Sequence, residues 1–403
     1  MNNSMLMQIQ EPGTSKSGLA NMPLLGLGFR PFYLLAAAFA MISIPLWLLS
    51  YTGHLPDASR LDLNWHMHEM VFGFALAVII GFLLTAARNW TGLWTLRGRP
   101  LALLAALWIA GRLAMAWLPA PLAAVVDLAF IPCAAWPLYV VIKKSGNTRN
   151  LPLLGLLTLL FLANTVFHAT RLAYLDISPI LCIHAAILLV TLLEIEMAGR
   201  VIPGFTANAL PGSSPVINPR LNKAALILAA AASVAWMLHI PAYAAAPLAL
   251  CAAVAQAWRL SGWKPWKTGR QPLLWILHLS YGWIAIGFLL LGMAELGGAT
   301  LGVSSTAFHV LAVGAMSGLI LGMTTRTALG HTGRLLKVNF REITMYLLLQ
   351  AGTMARICAN IPATGHRTLA LLLAAACWSA AFLLYLVVYV PYLLNPRLDG
   401  REG

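Results

Sequence analysis

Runs of spanning length, each made of mostly apolar residues, recur along almost the entire chain. A helix that crosses the hydrocarbon core of a bilayer needs about 20 such residues, and a chain whose backbone groups sit in lipid must satisfy them within helices or a closed barrel. The runs cover 31–51, 67–87, 101–118, 121–142, 152–173, 179–199, 223–240, 242–260, 273–295, 304–325, 342–360 and 367–391. The expected fold is therefore an all-α membrane protein, a single bundle of about 12 transmembrane helices. With only 9% charged residues and a mean hydropathy of +0.79, the chain is unlike a soluble domain, where roughly a quarter of residues are charged.

The net charge of +14 would suggest nucleic acid in a soluble protein, but its distribution points to a membrane. Lys16 and Arg30 precede the first run. Arg88, Arg97 and Arg99; Lys143, Lys144 and Arg149; Arg200, Arg220 and Lys223; Arg259, Lys264, Lys267 and Arg270; and Arg326, Arg334, Lys337 and Arg341 fill every second loop, and Arg397 and Arg401 follow the last run. The opposite side holds only Arg60, Arg112, Arg171, Arg356 and Arg367. By the positive-inside rule both termini are expected to be cytoplasmic, as an even number of crossings requires, and the chain is expected to be a multi-pass membrane protein with no nucleic-acid partner.

The expected organisation is a cytoplasmic tail over 1–30, a helical bundle over 31–391 and a short cytoplasmic tail over 392–403. The first tail lacks the basic n-region of a cleaved signal peptide, so the first helix is expected to stay. The stretch from Arg200 to Lys223, rich in Pro, Gly and Ser, reads as cytoplasmic turns. Five scattered cysteines with no CxxC or CxxCH argue against a disulfide frame, a thiolate zinc site and covalently attached haem. Gly314, Gly318 and Gly322, and likewise Gly73, Ala77 and Gly81, form small-residue ridges that predict close helix packing. No internal repeat of the kind found in many transporters is visible.

With this topology, His66, His68, His168, His184 and His309 all fall in the outer leaflet, contributed by four helices. Polar side chains in hydrocarbon are costly and usually serve a pathway, a cofactor or one another. Neutral imidazole is the commonest ligand for transition metals and binds haem iron, and bundle cores build such sites from facing helices. These five are the candidate cofactor residues. Residues two apart on a helix point about 200° from each other, so His66 and His68 share one ion only if the helix start is unwound; otherwise they face different surroundings. Glu69 and Asn164, the latter one turn before His168, are candidate orienting partners. For any single histidine, a hydrogen-bonded place in a polar interior is as good an account, so the cluster carries the argument.

A second polar set lies toward the cytoplasm: Glu194, Glu196 and Arg200, His278, and Arg326, His331 and Arg334. Glu196 and Arg200 stand at i, i+4 in the favourable order for a local ion pair. Glu194 and His278 are deeper and are candidates for a proton route or a second cofactor site, to which Glu196, Arg200 and Arg326 contribute. The candidate metal ligands are His66, His68 and His309, with His278 and His331 as members of the inner set.

The stretches WHMHEMVFGF, GFLLTAARNWTG, GRVIPGFT, LHLSYGW and GHTGR, in that order from Leu25 to about Arg341, resemble the NnrS family of bacterial membrane proteins. The resemblance implies a polytopic inner-membrane protein of denitrifying and nitrosatively stressed bacteria that contains haem (b-type, non-covalent) and copper and is linked to nitric oxide. It supplies no reaction and no ligand assignment, so the histidines above rest on depth and motif membership. The large subunit of haem-copper oxidases and nitric oxide reductases is a looser analogue with histidines on helices 2, 6 and 10. This chain lacks the adjacent histidine pair that architecture has on helix 7, where only His239 occurs, so the analogy concerns architecture alone.

The leading expectation is a haem-binding, copper-binding membrane protein acting in nitric oxide metabolism or nitrosative-stress tolerance. As an enzyme it would be a membrane oxidoreductase taking electrons from a membrane donor; otherwise it would sense, buffer or deliver haem or metal. The rival is a proton-coupled secondary transporter using the same His, Glu and Arg residues as a relay, and a purely structural subunit is a third reading that leaves the polar depths unexplained.

Overall fold

The structure is a computed structural model that describes residues 22–56, 60–297, 301–361 and 366–400, so most of the expected N-terminal tail, Arg401 and three loop segments lie outside the described residues. The described residues form helices and no strand. In chain order the long helices are α1 (Phe29–Tyr51), α2 (Leu63–Thr91), α3 (Arg99–Trp117), α4 (Ala120–Lys144), α5 (Leu151–Arg171), α6 (Pro179–Ala209), α7 (Pro219–Met237), α8 (Ala242–Gly262), α9 (Pro272–Leu296), α10 (301–331), α11 (Phe340–Cys358) and α12 (Arg367–Leu394). Nine of them, all but α7, α8 and α11, are long and apolar enough to cross a membrane.

The starts of these helices are written locally. Proline occupies the first turn of α3, α4, α5, α6, α7 and α9, where its missing N–H removes no hydrogen bond and its fixed φ suits the helix. Asp62 caps α2 by accepting from the Trp65 amide at 2.7 Å, and Asn339 with Glu342 forms a reciprocal capping box at the start of α11. Gly92, at φ 71°, ends α2 in the left-handed conformation that glycine takes without strain.

Helix α6 differs from expectation: it stays helical through Ala209, so the anticipated turns shrink to 210–218. Pro203 is accommodated inside the helix, and Ile202, Pro203 and Thr206 are buried, which gives this extra turn a packed face that the Pro and Gly content alone does not reveal.

The helices that carry His66 and His68 (α2) and His309 (α10) are also the most enclosed, with 78% of the apolar stretch buried in both. Each contains a π-helical stretch directly after its outer histidine or histidines, Glu69–Ala75 in α2 and Val310–Ser317 in α10. A π-turn shifts the facing of the residues before it relative to those after it, and such turns concentrate at functional sites. The small-residue ridges act as expected. A Cβ on Gly314 would meet the Trp283 ring at 2.7 Å, and one on Gly322 would meet Leu277 at 2.7 Å, so α10 lies directly against α9. Gly81 and Gly28 bring α2 against α1 in the same way.

Candidate metal centre

Four helices, α2 to α5, deliver one buried polar set. His68 is fully buried; its Nδ1 lies 2.9 Å from Glu69 Oε1, and its Nε2 lies 2.9 Å from Asn164 Oδ1 and 3.2 Å from Asp127 Oδ2. Asp127 Oδ2 also accepts from Asn164 Nδ2 at 2.7 Å and stands 3.0 Å from His168 Nε2. Arg112 donates to Glu69 Oε1 at 2.6 Å and to Asp127 Oδ1, bridging the two carboxylates. None of these six side chains is more than 5% exposed by residue.

Charge counting shows what such a set requires. Two carboxylates face one guanidinium, which leaves one negative charge to be met by a proton on the imidazoles or by a cation, because an uncompensated charge in this interior is costly. Ligand atoms of His68, Asp127 and His168 all lie within 4.8 Å of one another, so one ion can reach all three. Two imidazoles and a carboxylate suit a first-row transition metal. Asn164, Glu69 and Arg112 would then be the outer partners that orient the ligands. The same groups without a metal make a closed lock across four helices.

His66 belongs elsewhere. Its ring stacks on Trp47 (centroids 4.0 Å apart, 20° between planes), and its Nδ1 is buried without a hydrogen-bond partner. From α10, His309 Nδ1 donates to Ser305 O at 2.7 Å, which leaves Nε2 with the lone pair. His184 of α6 stacks face to face on Phe308 at 3.5 Å. His184 thereby meets α10 at the residue just before His309. Arg356 Nη2 is 3.4 Å from the His309 ring, and the Arg356 side chain is held by Asn360 Oδ1 at 2.9 Å. His66 and His68 thus face different surroundings, one packed on Trp47 of α1, the other on α4 and α5.

An imidazole whose one nitrogen donates to a carbonyl and whose other carries a free lone pair is oriented as metal-ligating histidines are. His309 meets that description, and the unpartnered Nδ1 of His66 is an orphan that a ligand-bearing group would satisfy. His66 Nδ1 and His309 Nε2 are thus the nitrogens of this second set that are open to a ligand, although among the described residues only His68, Asp127 and His168 have metal-ligand spacing.

The inner set is not gathered into one place. His278 Nδ1 donates to Leu274 O at 3.0 Å, and Thr206 Oγ1 is 3.3 Å from Nε2. His331 packs on Phe29 with centroids 5.5 Å apart, and its carbonyl accepts from Arg397 Nη1 at 3.0 Å. Arg397 also pairs with Asp399, whose hydrogen bonds hold the guanidinium pKa above its ordinary value. Arg200 Nε donates to Glu196 Oε1 at 2.8 Å, the expected local pair, and Arg200 also reaches Asn150. The Arg326 guanidinium lies 3.9 Å from the Phe205 ring centroid, and Glu194 lines an apolar cavity.

Asp127 and Arg112 are the two members of the buried set that were not among the candidates. The signal was present, since Asp127 is a lone acid inside the apolar run 121–142 and Arg112 lies within the run 101–118, where ionisable residues need partners.

Residues 23–397 match the family described as NnrS protein. No curated protein matches the chain significantly.

Proposed function

The chain belongs to the NnrS family, and on that premise we propose that it is a bacterial inner-membrane protein that holds haem, together with copper, and acts in nitric oxide metabolism or nitrosative-stress tolerance. The observation that carries the reading is the convergence of His68, Asp127 and His168 from three helices in a buried set with metal-ligand spacing. In this proposal α1 to α12 are all crossings, both termini are cytoplasmic, and the two histidine sets lie in the outer leaflet. His66, His184 and His309 hold the haem, and His68, Asp127 and His168 hold the metal ion.

Haem iron bound at the set of His66, His184 and His309 would supply a coordination position for a small gas. The protein's own part is to orient and enclose. The Ser305 carbonyl fixes the His309 tautomer, Trp47 and Phe308 fix the planes of His66 and His184, and Arg356 places a positive charge beside the set, suited to a carboxylate of the cofactor. A membrane electron donor is part of the enzymatic version of the proposal.

The test is a substitution series on protein purified in detergent. His66→Ala and His309→Ala are expected to remove or spectrally alter haem, His168→Ala to lower the non-haem metal content while sparing haem, and His278→Ala to leave both intact. Full, spectrally unchanged haem in both His66→Ala and His309→Ala would end the assignment.

A further inference from the structure

Between α1, α2, α6, α9 and α10 lies a cavity of about 100 Å³ that neither histidine set uses. Its walls are almost entirely apolar, with Val78, Phe82, Leu193, Val201 and Met323 among them, and two of its lining residues carry side-chain oxygens, Glu194 and Tyr33. Tyr33 is 1% exposed, with Thr327 as a neighbour of its hydroxyl; Glu194 Oε2 is buried and has no hydrogen-bond partner. A buried polar group without a partner keeps its full desolvation penalty, and folded proteins keep few of them. An unpartnered carboxyl oxygen on an otherwise apolar cavity, with a phenol hydroxyl on the same wall, marks a place where a ligand completes the hydrogen bonds.

Size, access and charge narrow the ligand. An engineered aliphatic cavity of about 150 Å³ stays dry and takes a benzene ring, so this one is on the scale of a single ring and not of a lipid headgroup. Ile79, Phe82, Met197 and Val201 line it from α2 and α6 and are only half-buried, so it opens toward the surface of the bundle, where a hydrocarbon tail can remain in lipid. Among the described residues, none that lines it is Lys, Arg or His, so a phosphate or carboxylate head would find no counter-charge. A carboxyl and a phenol, each able to donate or to accept, together complement a neutral ring whose oxygens are carbonyls or hydroxyls.

We propose that this cavity binds the head ring of a lipid-soluble quinol or quinone, with Glu194 and Tyr33 hydrogen-bonded to its ring oxygens. The assignment concerns binding alone and stands apart from the cofactor reading, because its readout does not require iron in the protein.

The experiment uses the full chain in detergent and a short-chain benzoquinone carrying a photoreactive azido group. Labelling is expected in the segments 78–83 and 190–202 and is expected to be competed by decylbenzoquinol but not by decylbenzene. Glu194→Gln is expected to weaken binding about tenfold, and Ala198→Trp, which fills the cavity, to abolish it. Both variants are read only in samples with the wild-type elution profile and unfolding midpoint, and Val201→Phe replaces Ala198→Trp should that variant misfold. Labelling confined to other helices, equal competition by decylbenzene, or wild-type affinity in both Glu194→Gln and the cavity-filling variant would overturn the proposal.

Discussion

Asp127 accepts from Arg112 and Asn164 and faces both His68 and His168, so one carboxylate ties together α2, α3, α4 and α5. Removing one member of a buried charge pair strands the other, at a cost of about 3–5 kcal/mol, whereas removing both is far milder. Asp127→Asn is therefore expected to lower the unfolding midpoint in detergent sharply, and Arg112→Met to do the same. The double variant should lose much less than the sum, as coupled partners do. Additive losses would show that the two side chains are not partners. At this scale the residues were only partly readable in advance. The histidines stand out because imidazole is rare in apolar runs, and the opposite facing of His66 and His68 follows from helical spacing. Arg112 is easily grouped with loop charges when basic residues are counted by side, because the positive-inside rule weighs arginines near helix ends; only the packing shows that it is 5% exposed and internally paired.

Helices α2 and α10 share a plan: histidine at the start, a π-helical stretch next, then small residues that admit a neighbour. The ridges were readable, since three glycines at four-residue spacing lie on one helix face. The π-stretches were not, because the extra residue per turn arises from tertiary packing and leaves no trace in the apolar pattern. The ridge yields a contrast between two glycines. Gly314→Ala drives a methyl group into the rigid Trp283 ring and is expected to destabilise by about 1–3 kcal/mol. Gly155→Ala on α5 meets nothing within 4 Å and is expected to be neutral or stabilising by up to about 1 kcal/mol. Thermal unfolding of the two variants in one detergent decides this, and equal behaviour would contradict the close approach of α9 and α10.

For the whole molecule, apolar content and spacing were enough to anticipate an all-helical membrane bundle, because lipid leaves the backbone few alternatives. The three long helices outside the nine apolar spans are the ones where composition runs short: α7 and α8 are alanine-rich with many small side chains, and α11 carries Arg341, Glu342 and Arg356. The placement of loop arginines predicts that a fluorescent protein fused after residue 403 folds and fluoresces, while alkaline phosphatase fused at the same point stays inactive. Phosphatase activity there would invert the topology and move both histidine sets to the cytoplasmic leaflet.

The central claim is that the histidines at the mouth of α2 and α10 serve a gas-binding cofactor. The most direct measurement is the absorption spectrum of the purified protein, oxidised and dithionite-reduced, with and without nitric oxide, beside iron and copper analysis of the same sample. The expected result is a Soret band at a stoichiometric ratio of haem to protein that shifts when nitric oxide is added. A colourless, metal-free protein after expression with ample haem and copper would contradict it, and would leave the same buried groups as the relay of a proton-coupled transporter.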